Sequence, residues 1–266
     1  MTSRRLAELA GPVVSELLTE ESIVVLPTGA IEHHGPHLPL ATDALIAEAV
    51  ATAAVERATA SGLDVWQLPT LSYTKSDEHH WAPGTMWLRA ETLLATLVDL
   101  GNAVASTPAR KLVFLNGHGG NTALLQVANR ELRRRFGLTT FSMPAGVQSA
   151  GKGGGSEPDE LGFGIHAGYS ETSVVLHLRP DLVDLTRAER NVPEHLGRFR
   201  HIGFNGRPVA FGWTSDDFGT SGVIGDPTDA SAQAGARMFE RGVDFAVECL
   251  TEIAAFSFAP IPAALR

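Results

Sequence analysis

The stretch Lys111-Leu112-Val113-Phe114-Leu115-Asn116-Gly117-His118-Gly119-Gly120-Asn121 decides the fold class. It opens with a short, almost wholly apolar run, the pattern of a strand buried on both faces of a sheet. Glycines then let the chain turn sharply, and a helical pattern follows over residues 122–136. Upstream, Ile23-Val24-Val25-Leu26 leads into Pro27-Thr28-Gly29 and an alanine-rich amphipathic helix over 43–60. Residues 65–68 read as the next strand and 90–106 as the next helix. Downstream, 139–143 reads as a strand and 230–255 as a long closing helix. Such alternation predicts an α/β fold with a mostly parallel sheet covered by helices. No internal repeat or composition break divides the chain, so residues 1–266 are expected to form a single domain. Two segments read as loops. Residues 151–158 (Gly-Lys-Gly-Gly-Gly-Ser-Glu-Pro) cannot hold a helix and are expected to be mobile until substrate closes the pocket. Residues 190–225 have weak periodicity and are expected to be irregular or short-stranded.

The composition is that of a globular protein, with 44% apolar and 19% charged residues and a net charge of −9. The acidic balance argues against nucleic acid as a partner, and Arg133-Arg134-Arg135 reads as a solvated helix face. A single cysteine, Cys249, leaves no internal disulfide and fits a reducing compartment. Glu8 and Glu16 interrupt any signal-like apolar run near the start, and no stretch approaches a membrane span. The expectation is a cytoplasmic protein that acts on a small molecule and does not enter membranes.

Histidine placement points to the chemistry. Three of the ten histidines fall in Glu32-His33-His34-Gly35-Pro36-His37, directly after a predicted strand. Ligands of open α/β sheets bind beyond the carboxyl ends of the strands, where this segment belongs. Pro36 and Pro39 are expected to keep it extended, which turns Glu32 and His34 to one side. Asp43 follows at the start of a helix, where a carboxylate is favoured. Glu, His and Asp together are ligands suited to Zn²⁺, Mn²⁺ or Fe²⁺, although the histidines could equally be surface loop residues and Asp43 only a helix cap. His118 stands at the apex of the glycine turn that follows the strand beginning at Lys111. His166 and Glu171, five residues apart, could supply a proton carrier and one more ligand, or a polar pair beside the apolar run Val174-Val175-Leu176. Ser76, Glu78 and His79 are candidates for the pocket lining.

The run from Pro27 to Pro39 with Thr42-Asp43 resembles the signature of the creatininase (creatinine amidohydrolase) family. Pro83-Gly84-Thr85, the Asn116 to Asn121 turn, His166-Ala167-Gly168 with Glu171-Thr172-Ser173, and Gly225-Asp226-Pro227 extend the resemblance in the family's order. It implies a three-layer α/β/α fold, a binuclear metal site and a homohexamer. It also implies Glu32 and His118 on one metal, His34 on the other, Asp43 bridging both, and His166 as the catalytic histidine. Creatininase itself supplies a glutamate where this chain has Gly120, and Glu171 is expected to fill that place. Gly119 and Gly120 then line the substrate pocket with Ser76, Glu78 and His79. The implied cofactors are two divalent ions, zinc first, with manganese or iron as alternatives. No tryptophan lies in residues 147–165, where creatininase closes tryptophans over creatinine, so another substrate is expected. The family includes enzymes acting on formylamino-pyrimidines and on a peptide precursor, and membership alone leaves the substrate open.

The expected reaction is hydrolysis of a C–N bond in a small cyclic amide, formamide or peptide-like substrate by metal-activated water. Alternatives are a lactone or phosphoester hydrolase with the same metals, or a metal-binding module without turnover. A near P-loop, Gly146 to Lys152, fails because Gly153 stands where Ser or Thr would hold Mg²⁺.

Overall fold

Apolar residues that alternate direction along β1 (Ile23–Thr28) and β3 (Lys111–Asn116) build a core on each face of the sheet. The computed structural model describes residues 3–146, 160–204 and 207–258. The sheet is completed by β2 (Val65–Gln67) and β4 (Thr139–Pro144), in the order β2-β1-β3-β4 with every pairing parallel. Ile23, Val25, Val113 and Leu115 face a layer made of α2 (Thr42–Ala60), α5 (Tyr169–Leu178) and α6 (Ala232–Ala255). Val24, Leu26, Leu112 and Phe114 face the opposite layer, α3 (Ala90–Ala105) and α4 (Thr122–Phe136). Period-two strands sandwiched by helices thus give three layers, as expected.

Two helices escape a reading of periodicity. α1 (Gly11–Leu17) is only seven residues long, with Pro12 in its first turn. α5 is buried on most of its surface, including Tyr169, Ser170, Thr172, Ser173, Val174 and Val175, so it shows no polar face. The described residues of the 190–225 segment are irregular, as expected, with short 3₁₀ turns at Glu194–Arg198 and Ser215–Phe218. Together with Phe163 they bury a small separate apolar cluster around Val192 and Leu196. The segment 151–158, expected to be mobile, lies outside the described residues. Among the described residues no helix is long and apolar enough to cross a membrane.

α5 is pressed against α6 at Gly235, where an added Cβ would overlap the carbonyl of Ser173. Backbone cannot yield there as a flexible side chain would. Gly235→Ala is therefore expected to cost about 1–3 kcal/mol, the usual range for overpacking, seen as a lower urea midpoint. An unchanged midpoint would show that the two helices can slide apart freely.

Candidate metal centre

β1 and β3 end side by side, with Thr28 opposite Asn116, so their following loops leave the same edge of the sheet. Thr28 donates from its hydroxyl to Asn116 Oδ1 (3.1 Å), and Asn121 Nδ2 donates to the Gly29 carbonyl (3.1 Å), tying the loops together. Both then press on the first turn of α2. A Cβ on Gly29 would sit 2.5 Å from Ala44 Cα, and one on Gly117 2.8 Å from the Asp43 carbonyl. Only glycine permits that approach. It brings Glu32, His34, Asp43 and His118 from three elements into one buried cluster.

Asp43 lies between two histidines. Its Oδ1 is 3.2 Å from His34 Nε2, and its Oδ2 is 2.9 Å from His118 Nδ1. It makes no helix-capping hydrogen bond; Ala41 holds the cap position. The loop is not extended throughout, as Pro36 and Pro39 suggested. Gly35 adopts a left-handed φ of 71° and turns the chain after His34. His33, between Glu32 and His34, points away from the cluster, with Nε2 2.9 Å from the Ser221 carbonyl and its ring edge-on to Trp81. His37 is buried elsewhere, its Nε2 2.9 Å from Thr172 Oγ1.

His166 and Glu171 join from the other side. His166 Nδ1 is 3.5 Å from Glu32 Oε1, and its ring lies 4.1 Å from both the His34 and His79 rings. Glu171, in the first turn of α5, places Oε2 3.8 Å from His34 Nε2 while accepting the Ala167 N–H at 2.6 Å. Among the described residues, three groups have ligand atoms close enough to share an ion: Glu32-His34-His166, Glu32-Glu78-His118 and His34-Asp43-Glu171.

Each of the three central histidines spends its outer nitrogen on a backbone carbonyl. His34 Nδ1 faces the Glu32 carbonyl (3.1 Å), His118 Nε2 that of Lys75 (2.6 Å), and His166 Nε2 that of His33 (2.7 Å). A carbonyl can only accept, so those nitrogens carry the protons. In the neutral rings the inner nitrogens are then bare lone pairs aimed at carboxylates. Such pairs repel unless a cation lies between them, and this outer-carbonyl wiring is how metal-bound histidines are oriented. The orphaned acceptors agree, because both Glu32 oxygens and Asp43 Oδ2 are buried without a hydrogen-bond partner. The donor set therefore fits divalent metal ions.

Electrostatics in the metal-free cluster say the same. Burial acts to lower the His34 pKa, but Asp43, Glu171 and Glu32 overcome it and raise it to about 10. His118 is likewise raised well above the usual value against its burial, chiefly by Glu32 and Asp43. Burial raises Glu171 to about 7. Burial, with His34 next, pushes His79 down to about 3 and holds His166 well below the usual range, so both are neutral. Protons on His34 and His118 occupy the places of metal charge. Zinc loading at pH 7.5 is thus expected to release protons, and affinity to rise with pH. Calorimetric heats should vary with the buffer's ionisation enthalpy; heats independent of buffer would contradict this.

Of the remaining candidates, Glu78, His79 and Gly120 reach the cluster. Ser76 is fully buried with an unpartnered hydroxyl, and His79 Nε2 is 3.7 Å from Glu32 Oε1. Glu78 Oε1 stands 3.5 Å from His118 Nε2. A Cβ on Gly120 would overlap Glu78 Oε1 and lie 2.5 Å from His118 Nε2, so Glu78 takes space that a side chain at 120 would need. At Gly119 the same space is open. Sequence reasoning missed Lys75, whose contribution to His118 is a carbonyl common to every residue type.

A family model described as creatinine amidohydrolase (Creatininase) matches residues 7–250. The chain is 36% identical over 264 residues to the mycofactocin precursor peptide peptidase of Mycobacterium ulcerans, covering 96% of this chain and 94% of that protein. Solved structures agree. A creatininase described with manganese has a TM-score of 0.74 at 25% identity, covering 94% of this chain and 98% of that one. A creatininase variant of zinc–zinc type has a TM-score of 0.73 at 25% identity, covering 95% and 98%.

Proposed function

Because the chain belongs to the creatininase family of hydrolases, we propose that it is a two-metal amidohydrolase cleaving an amide C–N bond in a peptide-like substrate. The observation that carries the reading is Asp43, whose two oxygens face His34 on one side and His118 on the other. Glu32, His118 and Asp43 would hold one ion, and His34, Asp43 and Glu171 the other. Zinc is the first choice, with manganese or iron as alternatives of similar ligand taste. Bound there, the ions would acidify water and polarise the amide carbonyl.

The chain's own residues supply the rest. His166, neutral and fixed through Nε2 on the His33 carbonyl, takes at Nδ1 the proton given up by the attacking water and passes it to the leaving nitrogen. The Ser76 hydroxyl, buried and unpartnered, donates to the substrate. Glu78 and His79 bound the pocket, Gly119 leaves open room beside it, and Gly120 offers its backbone where Glu78 fills the side-chain space. A peptide-like substrate is favoured over creatinine by the near full-length similarity to the mycofactocin precursor peptide peptidase. A small cyclic amide or a formamide is the second reading, supported by the family's description as creatinine amidohydrolase.

Metal analysis of purified protein, with hydrolysis assays on peptides, formamides, cyclic amides, lactones and phosphoesters, tests the proposal. Expected are two divalent ions per chain and turnover confined to C–N bonds. Cleavage of a lactone or phosphoester instead, or full metal with no turnover at all, would sink it. We also assign the chain to the cytoplasm as a homohexamer. Light scattering should return six times the 28.2 kDa chain mass, and a monomer would refute that assembly.

A further inference from the structure

Glu160 lies outside the proposed ligand set, yet its carboxylate sits where separate stretches of backbone meet. Its Oε1 accepts the Tyr169 N–H at 3.2 Å and the Asp226 N–H at 2.7 Å. Glycines make the room. A Cβ on Gly164 or Gly168 would overlap the carboxylate, and one on Gly225 would lie 2.7 Å from Oε1. Tyr169 opens α5, where a negative charge is favoured by the helix dipole. Asp226 lies two residues after Ile224, which is paired with His166: the Ile224 N–H donates to the His166 carbonyl (2.9 Å) and the His166 N–H to the Ile224 carbonyl (3.1 Å).

Between these two ties stands Ala167 at φ 53°, a left-handed conformation that costs a residue with a side chain. Its N–H is the donor to Glu171 Oε2. Such a residue persists only where its surroundings over-determine it. Glu160 does so from both directions, along the chain at Tyr169 and across the bridge at Asp226.

We infer that Glu160 is a positioning residue whose acceptance of the Tyr169 and Asp226 N–H groups holds the 165–171 turn with His166 and Glu171 aimed at the metal centre. The inference rests on the proposed ligand assignment. The test uses full-length protein stripped of metal and titrated with zinc, alongside hydrogen–deuterium exchange across residues 165–171. Glu160→Ala removes the acceptor, and Gly164→Ala evicts it sterically. Both are expected to weaken one of two zinc sites about 10–100-fold, the usual effect of losing an outer support, and to speed exchange. Glu160→Gln, which keeps a carbonyl acceptor, should retain both zinc sites and slow exchange. Should Glu160→Ala fail to fold, the contrast between Gly164→Ala and Glu160→Gln decides. Unaltered zinc affinity at both sites in the Ala variants, or a Gln variant no better than Ala, overturns the inference even if thermal stability falls. If the unaltered chain binds fewer than two zinc ions, the ligand assignment fails instead, and the exchange measurement still judges Glu160.

Discussion

Asp43→Ala is expected to leave the protein without either metal ion and without measurable turnover. One carboxylate serves both sides of the cluster, with Oδ1 toward His34 and Oδ2 toward His118. Removing it therefore damages two sites at once, while loss of Glu32 or Glu171 damages one. Metal-derived charge stabilisation is worth several kcal/mol, so the loss in kcat/KM should be roughly 10³-fold or more. Without metal, Asp43 is held well below the usual carboxylate range despite its burial, because His34 and His118 stabilise its charge. By linkage, a depressed carboxyl pKa stabilises the fold above the unfolded value, and that stability is lost as pH falls through the folded value. Metal-stripped protein should thus lose Asp43's contribution only in strong acid, and the Ala variant should lack it at neutral pH. Metal counting by mass spectrometry decides the main point. Full metal and full activity in Asp43→Ala would mean that this carboxylate bridges nothing.

His166→Ala and Glu171→Ala are expected to part company, the first keeping metal and losing rate, the second losing one metal. His166→Ala should cost roughly 10²–10⁴-fold in turnover, the range for a general acid–base group, at near-normal metal content. Glu171→Ala should empty the His34 side selectively. Gly120 offers no replacement, and Glu78 already fills the space beside it. The geometry makes this a demanding comparison. His166 is wired like His34 and His118, with its outer nitrogen on a carbonyl and its inner nitrogen toward a carboxylate, and it falls in one of the three possible ion-holding groups among the described residues. Should His166→Ala release an ion while Glu171→Ala retains both, the two roles must be exchanged.

The four described strands and the helices α2, α3, α4 and α6 were legible in the sequence to within a few residues. Buried parallel strands are short apolar runs, and surface helices carry a periodic stripe; both are local signals. The proposed metal ligands stand out in the sequence for a related reason. Glu32, His34, Asp43 and His118 follow strands or open helices, and glycine or proline marks the turns that present them. Tertiary structure alone decided the rest. α5 has no polar face to betray it, and the order β2-β1-β3-β4 depends on pairings between segments distant in the chain. The carbonyls of Glu32, Lys75 and His33 that orient the three rings belong to the backbone and leave no mark in residue type. The same holds for Glu160, whose Tyr169 and Asp226 partners are backbone N–H groups brought together only when α5 docks against the 224–226 segment. Side-chain identity is written in sequence, but the pairing of one backbone polar group with a distant partner comes into being only on folding.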